Sequence, residues 1–197
     1  MAKDDTIRYY DENRDEFIES TLLADMSFHY EKFLSYIQSG SRILDAGCGT
    51  GRDAKSFISR GFEVSAFDGS KEMAMFASTY TGLKVEHEDF LTYTSNEMFD
   101  GIWACASLLH IEYQMQLEVL RKYHGFLGEK GVFYMSFKYG DGMFVKEGRQ
   151  FYCHNEESMK ELLLSSNGYS ILEMYVTSDV RKERKDDKWL SVILQKD

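Results

Sequence analysis

The chain contains no proline, which excludes proline-rich linkers. Cysteine is nearly as scarce: Cys48, Cys105 and Cys153 are odd in number and form no C-x-x-C pair. A disulfide framework and a zinc-finger-type site are both disfavoured, and a reducing compartment is the natural reading. Long apolar runs are missing too. The longest, near Gly101–Ile111, has about half the ~20 residues that a membrane span needs. No apolar stretch of a signal peptide follows Met1. These absences predict a soluble, cytoplasmic protein. Basic residues are outnumbered, 23 Lys and Arg against 33 Asp and Glu, for a net charge of −10. That balance counts against a surface built to neutralise phosphate, although a local basic groove stays open.

What is present suits one domain. The 197 residues, 43% hydrophobic and 15% aromatic, are ample for a buried core. Ile18, Leu22, Met26, Tyr30, Phe33 and Ile37 fall three or four apart, so the first forty residues read as helical, with a break near Ala24–Asp25. After Gly40 strands and helices alternate. Strands are expected over 42–46, 62–67, 83–87, 99–105 and 131–138. The fourth is apolar nearly throughout, as a strand covered on both faces should be. Helices are expected from the glycine loop after Ala46 to Arg60, from Ser70, over 112–124, and from Asn155 to Asn167-Gly168. Two final strands, 169–177 and 189–195, flank the charge run Arg181–Lys188, which reads as a solvated hairpin turn. The pattern predicts an α/β fold with a doubly wound, Rossmann-like, seven-stranded sheet, mostly parallel with an antiparallel C-terminal edge. Residues 1–40 would form a helical cap and 41–197 the binding domain, together one compact unit.

The informative stretch is Ile43-Leu44-Asp45-Ala46-Gly47-Cys48-Gly49-Thr50-Gly51. Glycines after a first strand permit a sharp turn and close approach of a ligand to the main chain. Asp68, at the end of the second strand, is placed to accept two ribose hydroxyls. An NAD site shares that spacing, but its fingerprint is G-x-G-x-x-G, whereas here it is G-x-G-x-G. Asp45 would repel a pyrophosphate and suits a cationic or amino-bearing ligand.

With these motifs the chain resembles the class I S-adenosylmethionine-dependent methyltransferases. The matching pieces are residues 43–51, Phe67-Asp68-Gly69-Ser70, Glu88-Asp89-Phe90, 99–110 and 128–137, in the family's order over roughly half the chain. Tyr9-Tyr10-Asp11-Glu12-Asn13 is similar to the entry segment of the small-molecule branch that includes tellurite- and thiol-methylating enzymes. The resemblance implies S-adenosylmethionine as cofactor. The backbone of Gly47, Cys48 and Gly49 would run along its methionine part, with Gly51 and Gly69 in the same motifs. It further implies Asp68 on the ribose, Met73 over adenine, Asp89 and the amide of Phe90 at the adenine edge, and the backbone near Ala106 by the sulfonium. Tyr10 would close over the amino-acid end. Each has a plainer reading: Met73 as core, Asp89 as a turn residue, Tyr10 as a helix staple.

Methyl transfer from a sulfonium is a direct displacement, so the protein supplies mainly alignment. A hydroxyl or amine acceptor needs a proton acceptor as well, and His110, just after the fourth strand, is the candidate; its plainer role is packing at a helix start. Cys105 reads as core, and the adjacent Cys153 and His154 point oppositely on an extended segment. Tyr139–His154 reads as a long aromatic loop over a partly apolar substrate pocket. Lys138, Tyr139 and Arg149 would hold an anionic substrate there, or simply be solvated. Amino-directed DNA methyltransferases resemble one another in an N/D-P-P-Y/F motif after strand four, and cytosine-C5 enzymes in a Pro-Cys. Here the position reads Ala104-Cys105-Ala106-Ser107-Leu108, so neither DNA class fits. The expectation is methylation of a small molecule, with RNA (tRNA) methylation or a non-catalytic cofactor-binding subunit as alternatives. No metal site and no membrane partner are expected.

Overall fold

The computed structural model describes residues 2–197, with side-chain surroundings from residue 5 onward. The N-terminal segment forms α1 (Ala2–Glu12), α2 (Arg14–Thr21) and α3 (Ser27–Leu34). The break at 22–26 falls where the sequence placed it. A second one at Asn13 was not anticipated; there the Asn13 side chain donates to the carbonyl of Tyr9 at 2.9 Å. From the predicted stripe, Met26, Tyr30 and Phe33 are buried, while Ile18, Leu22 and Ile37 are half-buried.

The main sheet contains β1 (Arg42–Ala46), β2 (Glu63–Asp68), β3 (Glu86–His87), β4 (Phe99–Ala104), β5 (Leu127–Lys138), β8 (Tyr169–Ser178) and β9 (Lys188–Lys196). Its order is β3-β2-β1-β4-β5-β9-β8, with β9 antiparallel to both β5 and β8. Side chains alternate across β5: Val132 and Tyr134 join Phe33, Phe57 and Trp103 on one face, while Phe133, Met135 and Phe137 join the other core. On the first face lie α3 and α4 (Arg52–Ser59). On the second, Leu120 and Tyr123 of α6 (Tyr113–His124) and Leu163 of α7 (Glu156–Ser166) close the core. Trp103 and Tyr134 stack across neighbouring strands at 3.8 Å. Both faces of the central strands are therefore dry, which explains the unbroken apolar runs.

Capping follows the sequence closely. Ser70 accepts from Met73 N at the start of α5 (Lys71–Thr81), and Asn155 forms a capping box at the start of α7. Two expectations fail. The third strand is only two residues long, because the amides of Leu83 and Val85 go to the hydroxyls of Thr81 and Ser78 instead of to a ladder. The expected loop 139–154 folds into a second, two-stranded sheet, β6 (Met143–Lys146) and β7 (Arg149–Tyr152). Its turn is Glu147-Gly148, at φ 52° and 78°, the signs that a tight hairpin turn requires. Among the described residues no helix is long and apolar enough to cross a membrane, and no group of side chains is arranged to hold a metal ion.

Candidate active site

Parallel strands end on one edge of the sheet, and open α/β sites form outside those carboxyl ends. Here β1, β2, β4 and β5 deliver Ala46, Asp68, Ala104 and Lys138 to one rim, where a cavity of about 650 Å³ opens. The antiparallel β8–β9 pair brings the loop 179–187 to the same rim.

One half of the cavity is built on the glycine loop. The amides of Gly47 and Cys48 both donate to the Phe67 carbonyl at 3.0 Å, and Gly51 N donates to Cys48 O at 2.9 Å. Gly49 N donates to one carboxylate oxygen of Asp68 at 2.7 Å, and Ser70 N to the other at 2.8 Å. In the first turn of α4, Ala54 N is taken by Asp45 at 3.0 Å. Asp45 is therefore a buried brace for the helix start and does not line the cavity. Burial, then the charge of Asp53, pushes its carboxyl up. Gly51 also lies outside the wall, against Ala77 and Thr81 of α5. The remaining residues that the resemblance implies all line the cavity: Tyr10, Gly47, Cys48, Gly49, Asp68, Gly69, Met73, Asp89, Phe90 and Ala106. Asp68 is pushed up by burial, against the pull of its two amide donors. Met73 is core and wall at once, 1% exposed. Asp89 also serves its turn, accepting from the amides of Leu91 and Thr92.

The N-terminal helices roof this half. Ser70 donates to Asp11 at 2.6 Å, and Phe17 sits against Gly49. Tyr10 donates to Nε2 of His110 at 2.9 Å, while Nδ1 of His110 donates to the Gln150 carbonyl at 2.6 Å. These partners fix the imidazole with its proton on Nδ1. Burial, chiefly, lowers His110 to about 4, so it is neutral near pH 7. Gln150 N also donates to Thr6, so α1, His110 and β7 are mutually tied.

The other half lies over β5, β8 and β9. Ala106 adopts φ 51°, rare for a side-chain-bearing residue, and its amide donates to Ser136 Oγ at 2.9 Å. Lys138 is salt-bridged to Asp187 at 2.7 Å, lies 3.8 Å from Asp179 and sits 4.2 Å from the Trp189 ring centroid. Arg181 pairs with Asp179, which is held down to about 2: burial opposes that shift, but the bonds from Arg181 and Trp189 outweigh it. The charge run is therefore not merely a solvated turn, since Arg181 and Arg184 line the cavity. Tyr139 reaches outward to Glu156 at 3.0 Å from the rim. Arg149 is buried, with its guanidinium 3.7 Å from the Tyr9 ring centroid and ion-paired to Glu147.

Sequence reasoning missed a deep polar group behind the loop. Asp53 accepts from Tyr30 at 2.5 Å, Trp103 at 2.8 Å and twice from Arg52. Burial works against its ionisation, yet Arg52 and these donors hold its carboxyl below the ordinary value. The Arg52-Asp53 dipeptide after the glycines was the available signal. Cys105 is pushed up to about 12 by burial, and Cys48 and Cys153 are raised for the same reason, so none is a ready thiolate.

The architecture is that of a Rossmann-like α/β protein with its cavity at the carboxyl edge of the sheet. Residues 43–131 match the family model described as a methyltransferase domain. An uncharacterized methyltransferase of Staphylococcus carnosus (strain TM300) is 26% identical over 105 residues, 52% of this chain and 51% of that protein. The chain thus spans about half the length of that curated relative. The crystal structure of 1,6-didemethyltoxoflavin-N1-methyltransferase from Burkholderia thailandensis, with bound 1,6-didemethyltoxoflavin and S-adenosylhomocysteine, superimposes with a TM-score of 0.78 at 21% identity, over 98% of this chain and 86% of that one. Magnesium protoporphyrin IX methyltransferase from Synechocystis PCC 6803, with S-adenosylhomocysteine bound, gives a TM-score of 0.77 at 17% identity, covering 100% of both chains. These likenesses show a Rossmann-like methyltransferase fold, with the match to a methyltransferase domain lying over residues 43–131.

Proposed function

We propose that this protein binds S-adenosylmethionine and transfers its methyl group to a small-molecule acceptor. The observation that carries this reading is one continuous roofed cavity, running from Asp68 at the end of β2 to Lys138 at the end of β5. The residues suit that cofactor. The amides of Gly47, Cys48, Gly49 and Gly51 are already engaged and do not cradle a pyrophosphate, whereas the Asp68 carboxylate, Met73 and Phe90 suit a ribose and an adenine. When bound, the cofactor supplies an electrophilic methyl on a sulfonium, displaced directly by the acceptor. The chain's own part is to hold, orient and exclude water; such alignment is worth roughly 7–11 kcal/mol at best.

Gly47–Gly49 and Ala106 shape the wall beside the methionine part, with Gly69 and Asp89 at the nucleoside end. The cap formed by residues 1–40 and the β6–β7 hairpin close the cavity over them. His110 is the proton acceptor: its Nε2 carries no proton and takes one through the Tyr10 hydroxyl. That pairing suits a protonated oxygen or nitrogen better than the soft tellurite or thiol acceptors that Tyr9–Asn13 resembles. Lys138 and Arg149 face the acceptor side, with Tyr139 at its rim. The cytoplasm suits a chain with three unpaired cysteines.

Calorimetric titration tests the cofactor: S-adenosylmethionine and S-adenosylhomocysteine should bind, and NAD should not. Labelled cofactor then separates acceptors. Transfer to pooled small metabolites is expected. Transfer to bulk tRNA alone, falling steeply with salt, would replace the reading with RNA methylation, and binding without any transfer would leave a non-catalytic subunit.

A further inference from the structure

Resting on that reading, we infer that the acceptor is a small anion, and that Arg149 is the residue that selects it. The chain as a whole is strongly acidic, at −10. The acceptor half of its cavity is the reverse: Lys138, Lys146, Arg149, Arg181, Arg184 and Lys188 line it, against Asp179, Asp186 and Asp187. A concave, basic wall inside an acidic molecule concentrates the field where a substrate enters and draws in anions.

Arg149 is the most deeply buried of these six cations. Its side chain is 9% exposed, whereas its ion-pair partner Glu147 is 52% exposed and stands at the tip of the hairpin. The Nε–H of Arg149 is buried without a hydrogen-bond partner among the described residues. A buried donor on a permanently charged group is costly to leave unmade. The face of Tyr9 fixes the guanidinium plane, and Phe151 lies 5.4 Å away. A planar guanidinium held in this way presents a fork that fits a carboxylate or a phosphate-type group, and a lysine ammonium does not reproduce it. The roof that keeps Arg149 dry also sets the size. Thr6 and Tyr10 of α1, tied to Gln150 and His110, roof the cavity on the N-terminal side, which favours a compact molecule.

The test is a transfer assay with labelled S-adenosylmethionine on a panel of hydroxylated and aminated aromatic carboxylates and phosphates, each paired with its neutral amide or ester, and on bulk tRNA. The anionic members should be methylated and their neutral partners should not. Arg149→Gln should raise KM for the preferred anion at least tenfold, and Arg149→Lys should recover only part of it. S-adenosylhomocysteine affinity should stay within twofold in both. Lys146→Gln, an exposed change that does not threaten folding, should raise KM a few-fold and weaken its salt dependence. Equal or better transfer to the neutral partners overturns the inference. So does transfer to tRNA, an unchanged KM in Arg149→Gln, or no transfer to any anion while S-adenosylhomocysteine still binds. Failure to bind S-adenosylhomocysteine at all would instead strike the reading of the cavity itself.

Discussion

Replacing Gly47 with alanine isolates the contact on which the floor of the cavity rests. Gly47 has φ 73°, and a Cβ built there would lie 2.6 Å from Cβ of Ser107, with Ser107 Oγ at 3.1 Å. Ser107 cannot simply rotate away, because its hydroxyl donates to the Ala46 carbonyl at 2.7 Å. Two costs therefore add. The left-handed backbone costs alanine about 1–2 kcal/mol, and overpacking against a pinned neighbour costs about 1–3 kcal/mol. Gly61 separates them: its φ is 87°, but nothing lies within 4 Å of the site of its missing Cβ. Gly61→Ala should cost only the backbone part. Urea unfolding of the ligand-free protein should place Gly47→Ala below Gly61→Ala by the contact share, and Ser107→Gly should rescue part of the loss in a double-mutant cycle. Equal midpoints for the two alanine variants, or no coupling to Ser107, would refute the reasoning.

Further outcomes follow from buried groups. His29, His110 and His154 are all lowered to about 4, chiefly by burial, so the unfolded chain takes up their protons first. Their stabilisation is complete above pH 6.5 and is lost as pH falls from there toward 4. For His154, held by Gln116 at 2.8 Å, the loss approaches roughly 2–3 kcal/mol, and His154→Gln should flatten the urea midpoint across that window. A wild-type and variant difference that does not change with pH would contradict this. Tyr30→Phe removes a donor from the buried Asp53 carboxylate and should destabilise the protein by about 1.5–3 kcal/mol; an unchanged thermal midpoint would show that Arg52 and Trp103 suffice.

The two halves of the cavity were unequally legible in the sequence. The half over β1 and β2 is made of contiguous motifs, since a glycine loop and a strand-ending aspartate each act within a few residues of chain. Capping at Ser70 and Asn155 was readable for the same reason. The other half joins Lys138, Asp179 and Asp187, which the antiparallel insertion of β9 between β5 and β8 brings together. No local pattern encodes that meeting. The β6–β7 hairpin was also hidden: β6 is exposed along its whole length, so no alternation marks it, and its turn is Glu-Gly rather than Asn-Gly or Asp-Gly. Asp45 misled in another way, because a carboxylate next to a glycine loop looks like a ligand contact when its oxygen is committed to a helix amide.

The committed amides of the glycine loop decide which molecules are turned away. Nucleotides carrying an adenosine with a 5′ phosphate chain are abundant competitors for any adenosine pocket. They recognise strand-to-helix loops through free N–H groups. Here Gly47, Cys48, Gly49, Gly51 and Ala54 have given theirs to Phe67, Asp68, Cys48 and Asp45. A phosphate arriving at this turn would surrender its hydration and find those five donors already taken. On the proposed reading of the cavity, the loop acts as a filter by refusal against adenosine compounds that carry a phosphate chain.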